Sequence, residues 1–171
     1  LDVGSGWGVV GPALCLKMDD VRVTEYEPDQ MYWKDRENCN RVLAALGRPQ
    51  INYHHYDIMS MPGQQYDMVS CVSVMEHIPP AVEIGCWTEL AKRVRPGGLL
   101  FVDVDLVPDP SKSYVCDEMR AHNFTIPEMQ ARVALLESMG LKVIGGDPDW
   151  NYNGNAVHDS FTFFRIAMRK V

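Results

Sequence analysis

The chain is predicted to be an α/β protein built on a parallel sheet, and three observations predict it. Short apolar runs alternate with segments of helical period along most of its length. The first run, at Leu1 and Val3, passes straight into the glycine-rich turn Gly4-Ser5-Gly6-Trp7-Gly8, where the missing Cβ atoms let the backbone turn sharply toward a helix. A later run, Tyr66–Val72, is nearly continuous in apolar residues, as expected for a strand covered on both faces.

Taken in order, residues 9–18 have the pattern of a helix with Pro12 in its first turn, where a missing N–H does no harm. Residues 21–27 form a strand. A helix follows over 29–46, with Cys39, Val42, Leu43 and Leu46 on its expected apolar face and Gly47 as its stop. Residues 51–57 and 66–72 are the next strands. Pro80 opens a helix expected to bury Ile84, Leu90, Ala91 and Val94, with Pro96-Gly97-Gly98 ending it before a strand over 99–105. Residues 106–124 have no clean period and contain Pro108 and Pro110, so this longest irregular stretch is expected to be a lid. Thr125-Ile126-Pro127-Glu128 has the form of a capping box and starts a helix that reaches Gly140. Residues 141–145 and 160–171 close the chain as strands. In the last, Phe164, Ile166 and Met168 alternate with Arg165, Ala167 and Arg169.

Composition narrows the class. At 171 residues, 46% hydrophobic and 23% charged, the chain suits one globular domain, 1–171. A net charge of −7 without any basic run argues against a broad nucleic-acid surface. No apolar stretch is long enough for a membrane span. Cys15, Cys39, Cys71, Cys86 and Cys116 are odd in number and widely spaced, which points to reduced thiols in a cytoplasmic protein. The first strand starts at Leu1 without an initiating Met, so an N-terminal segment is expected to be missing.

The glycine turn invites a nucleotide-like ligand, because the helix after it aims unpaired N–H groups into the same space. A dinucleotide fingerprint occurs at Gly6-Trp7-Gly8-Val9-Val10-Gly11, but the first glycine off the strand is Gly4, and counted from there the third falls one residue early. Asp-x-Gly-x-Gly-x-Gly, starting at Asp2, fits without slippage. An acid at that position repels a pyrophosphate and suits a ligand with an ammonium group. At this point the chain resembles the class I S-adenosylmethionine-dependent methyltransferases.

The resemblance implies a Rossmann-like, doubly wound, mostly parallel sheet of about seven strands with an antiparallel C-terminal strand. It also implies S-adenosyl-L-methionine as cofactor, with Asp2, Gly4, Ser5, Gly6 and Gly8 at its methionine end. Glu27, last before Pro28 at the strand tip, falls where the family's ribose acid stands; strand parity does not separate it from Glu25. Asp57 and Ile58 fall at the adenine positions, with Met31 as a cover on the other face. The alternative for Asp57 is a plain turn former ahead of Ser60 and Pro62.

Ser73-Val74-Met75-Glu76-His77 resembles the family's segment beside the methyl donor, which places Ser73 near the cofactor. Asn-Pro-Pro-Tyr is absent there, which counts against a nucleobase amine as acceptor. Some quinone-pathway relatives carry Glu-x-x-Glu-His here and hold a metal. Ser73 replaces the first Glu, leaving too few ligands to expect a metal. Glu76 and His77 are candidate catalytic residues, His77 as a base or as a local turn former. His158, next to Asp159 in a polar loop, is a third. The expected activity is in-line methyl transfer to a small-molecule acceptor. Two alternatives stand beside it: a cofactor-binding interaction module without catalysis, and an NAD(P)-dependent oxidoreductase. The second is weakened by the lack of any Tyr-x-x-x-Lys pair.

Overall fold

The computed structural model describes residues 1–4, 10–26, 33–107, 115–116, 121–146, 148, 150 and 162–171. They fall into two compact units, Leu1–Pro62 and Gly63–Val171.

The first unit alternates strand and helix: β1 (Asp2–Val3), α1 (Val10–Lys17), β2 (Thr24–Tyr26), α2 (Trp33–Ala45) and β3 (Asn52–His54). Its strands are parallel, with Asp2 opposite Glu25 and Glu25 opposite Tyr53. Cys15, Val23, Leu43 and Ile51 form its core, packed by Leu14, Val21, Cys39 and Tyr53. Asn40 ties α2 to the sheet: its Nδ2 donates to Ile51 O and its Oδ1 accepts from Ile51 N, both at 2.8 Å.

The apolar face expected of α2 is corrected here. Leu43 is buried, but Val42 and Leu46 are 58% and 59% exposed, while Arg36 is buried. The reason lies across the unit. Glu25 of β2 is fully buried, and Arg36 turns inward to it, Nε standing 3.9 Å from Oε2. α1 makes room for that carboxylate. A Cβ at Gly11 would collide with Glu25 Oε1 and stand 3.1 Å from Val23 Cγ1.

The second unit contains β4 (Tyr66–Val72), α3 (Pro80–Arg93), β5 (Val94–Val107), β6 (Val115–Cys116), β7 (Ala121–His122), β8 (Phe124–Thr125), α4 (Ile126–Ser138), β9 (Leu141–Val143) and β10 (Thr162–Lys170). The strand order is β4-β5-β10-β9, with β4 parallel to β5 and β10 antiparallel to both neighbours. Phe164, Ile166 and Met168 of β10 are buried, as their alternation predicts. Trp87 of α3 and Phe124 of β8 meet edge-on, centroids 6.2 Å apart, in the core below α4.

Three expectations change in this unit. α3 stops at Arg93, and β5 begins at Val94 and runs through Pro96-Gly97-Gly98, so that motif lies within a strand and does not end the helix. Tyr66 pairs with Val94 before the register shifts, and a Cβ at Gly98 would stand 3.0 Å from the backbone oxygens of Arg95, Asp67 and Tyr66. Ile84 is 45% exposed, and the inward position belongs to Glu83. The stretch 106–124 is partly ordered: β5 reaches Val107, β6 and β7 form a small antiparallel pair, and β8 joins β5 with Leu106 opposite Phe124. The capping box is present as predicted, with the Glu128 carboxylate accepting from Thr125 N at 2.8 Å. α4 ends at Ser138, and Gly140 takes φ 84° just beyond it.

Candidate functional site

Ligands of parallel sheets bind beyond the carboxyl ends of the strands. In the first unit, the ends of β1, β2 and β3 lie side by side by their register. Asp2, which opens the two-residue β1, is 3% exposed, and Gly4 follows Val3 with φ 65°, a left-handed turn that a side chain would strain. Past β3, Asp57 caps the 3-10 turn Ile58–Ser60: its Oδ1 accepts from Met59 N at 2.7 Å, and Ile58 behind it is buried. Asp57 thus serves as a turn former at the strand-end rim where an adenine reader would also stand. Ser5, Gly6, Gly8, Glu27, Pro28 and Met31 lie outside the described residues, as does His158.

In the second unit, β4 is followed by Ser73, a non-glycine residue at φ 52°. Strain of this kind collects at functional sites. Its N–H donates to Asp103 O at 2.9 Å, which ties the turn to β5. The 3-10 turn Met75–His77 follows. Glu76 is 1% exposed, and its Oε2 lacks a hydrogen-bond partner. Its pKa is raised from 4.5 to about 8, with burial as the largest cause. The N–H groups of Glu76 and Asp105 pull it partway back, and Asp105 and Asp103 push it up further. Burial also raises Asp105, while the neighbouring His77 charge lowers it. Asp103 accepts from Arg165 Nε at 2.6 Å across the β5–β10 ladder. Among the described residues, no group of three or more His, Cys, Asp or Glu is placed to hold a metal ion.

Two groups at this rim escape a reading of the sequence. Asp105 reads only as a strand residue, although it interacts with Glu76 and His77. His122 belongs to no motif of the irregular stretch. Its Nε2 stands 3.2 Å from Glu128 Oε1, and its ring meets Phe124 edge-on at 5.8 Å. The available signal is its place three residues ahead of the capping-box Thr125.

A family model described as "Methyltransferase domain" matches residues 1–98, and the chain belongs to that family. A ubiquinone biosynthesis O-methyltransferase from Hydrogenovibrio crunogenus is 28% identical over 104 residues, covering 59% of this chain and 40% of that protein. The chain therefore spans about two fifths of the length of that curated relative. Among solved structures, the [4+2]-cyclase SpnF matches with a TM-score of 0.74 at 13% identity, over 99% of this chain and 73% of its own. Magnesium protoporphyrin IX methyltransferase from Synechocystis PCC 6803 with bound SAM matches at TM-score 0.69 and 15% identity, over 99% of this chain and 68% of its own. These likenesses fix the fold: Rossmann-like α/β, mostly parallel, with an antiparallel C-terminal strand.

Proposed function

We propose that residues 1–171 act as a single S-adenosylmethionine-binding domain that transfers a methyl group to a hydroxyl of a small molecule. The observation that carries this reading is buried Asp2 in β1, two residues before left-handed Gly4, inside the family-matched segment. A buried acid in that position suits an ammonium and disfavours a phosphate. The hydroxyl acceptor draws on the O-methyltransferase relative.

When bound, S-adenosylmethionine supplies a methyl already activated on a sulfonium. The protein's share is then to bind, align and exclude water, and alignment alone contributes on the order of 7–11 kcal/mol. Asp2 holds the ammonium, and the Gly4-Ser5-Gly6-Trp7-Gly8 backbone gives space. Glu27, before Pro28, accepts from the ribose hydroxyls. Asp57, Ile58 and Met31 bound the adenine, and Ser73 lies near the reacting end. Glu76, held as a neutral acid at pH 7, donates a hydrogen bond to the acceptor. His77, attracted by Asp105, orients that acceptor, and His158 is a further candidate for the same task. The odd number and wide spacing of the five cysteines support a reducing, cytoplasmic setting.

A second reading has its own support. SpnF, a [4+2]-cyclase, has this fold, so the fold alone does not decide for methyl transfer, and binding without transfer is the alternative. Titration calorimetry with S-adenosylmethionine, S-adenosylhomocysteine and NAD, followed by a labelled-methyl assay over phenolic acceptors, separates the readings. The expected result is binding of the first two ligands, loss of it in Glu27→Ala and Asp2→Asn, and labelled product. Binding without product favours the second reading, and NAD binding alone overturns both.

A further inference from the structure

His122 and Glu128 form a pair that stands outside the chemistry proposed above. β7, which carries His122, packs on the 3-10 turn that holds Glu76 and His77. The next residues, Phe124 and Thr125, are pinned beside Leu106 and Val107 at the carboxyl end of β5. His122 therefore stands at the strand-end rim of the second unit, with its side chain 30% exposed. Phe124 covers one side of its ring.

Glu128 fixes the ring chemically. Burial raises its pKa, but the N–H and hydroxyl of Thr125 and the proximity of His122 outweigh that and lower it, so it is a carboxylate at neutral pH. One of its oxygens, Oε2, is engaged by Thr125 N and Oγ1, each at 2.8 Å, and the other, Oε1, faces His122 Nε2. A carboxylate only accepts, so the neutral imidazole carries its hydrogen on Nε2 and keeps a lone pair on Nδ1. Among the described residues Nδ1 has no partner.

Resting on the methyltransferase reading, we propose that His122 is the general base for the methyl acceptor, with Glu128 as its positioning residue. The acceptor O–H proton passes to Nδ1 as the oxygen takes the methyl carbon, and the electron pair of the broken S–CH3 bond stays on sulfur. The imidazolium, stabilised by Glu128, then gives its proton to water.

Two measurements test this, with catechol as the probe. In imidazole-labelled protein saturated with S-adenosylhomocysteine, catechol is expected to shift the His122 ring signals, assigned by their loss in H122N. In the methyl-transfer assay, H122N should lower kcat by about 10²–10⁴-fold, and added imidazole should restore part of it in H122A. E128Q is the sharper variant. Gln can keep the capping box while removing the charge facing His122. It should lower kcat by about tenfold or more, with cofactor affinity unchanged. Silent His122 signals, or kcat within twofold of the parent in H122N, overturn the proposal while cofactor binding leaves the methyltransferase reading in place. A fall in Tm for E128Q with kcat unchanged also overturns it, because the pair is then only a helix cap. Failure to bind S-adenosylhomocysteine overturns the methyltransferase reading itself.

Discussion

Arg132 of α4 grips Glu83 of α3 with two parallel hydrogen bonds, Nε to Oε1 at 2.7 Å and Nη2 to Oε2 at 2.6 Å. Trp87 Nε1 donates to the same Oε1. Glu83 is 7% exposed at its side chain and Arg132 17%, so the pair is largely out of water and joins two helices of the second unit. Removing one partner leaves the other charge buried. Glu83→Ala is expected to lower stability by about 3–5 kcal/mol in urea unfolding. Arg132→Met combined with Glu83→Gln should recover much of that, since the stranded charge is gone. Equal losses in the single and double variants would show that the pair is not a coupled unit.

In the first unit, Gly11 and Glu25 are coupled by space and not by charge. Gly11→Ala puts a methyl against a carboxylate that Arg36 and full burial hold in place. The expected loss is about 1–3 kcal/mol in thermal or urea unfolding. In a Glu25→Ala background the same Gly11→Ala change should lose clearly less, because the colliding atoms are absent. An unchanged loss in that background would rule out the collision as its cause.

These two pairs mark where the sequence is legible and where it is not. β4, the start of α3, the Thr125 cap and the alternation in β10 depend on neighbours within a few residues, and each appears in the pattern. Ile84 reads as a core position, yet Glu83 takes the inward place, because the partner that draws Glu83 in lies 49 residues away. Val42, expected on the apolar face, is exposed while Arg36 is buried for the same reason: Glu25 sits under the helix and recruits a cation. Pro96-Gly97-Gly98 reads as a stop when turn residues are weighed alone, whereas Tyr66 pairs with Val94 and starts the strand earlier. Of the candidate site, Asp2, Gly4, Ser73, Glu76 and His77 are visible as motif positions. Asp105 and His122 are not, since only the third dimension brings them to the strand-end rim of the second unit, beside Glu76 and His77.

Glu76 gives a pH prediction with a definite sign. Its folded pKa, about 8, lies above its ordinary value of 4.5, so between these values the folded protein binds more protons than the unfolded chain. Stability therefore falls as pH rises across that window, by at most about 1.4 kcal/mol for each pH step of one, and the penalty is complete above the folded pKa. Gln has the same shape and no charge. Glu76→Gln should match the parent near pH 4–5 and exceed it in Tm at pH 9. Parallel melting curves for the two proteins across the whole range would show that Glu76 does not titrate in this way.

Ser73 offers a test of the turn that follows β4. At φ 52° a residue with a Cβ is strained by about 1–2 kcal/mol, and a β-branched one by more. The side chain is exposed, so substitutions there act through the backbone and not through packing. Glycine relieves the strain but gives the unfolded chain more freedom, which offsets about 0.5–1 kcal/mol. The expected order of stability is thus Ser73→Gly equal to or slightly above the parent, and Ser73→Val lower by about 1–2 kcal/mol. The Ser73 N–H to Asp103 O bond holds the turn in register with β5, so Val should also disturb Glu76 and His77 just beyond it. Urea unfolding ranks the three proteins, and cofactor titration on the same samples reports the turn. Equal stability for Gly, Ser and Val at this position would mean that the left-handed turn is not kept in solution.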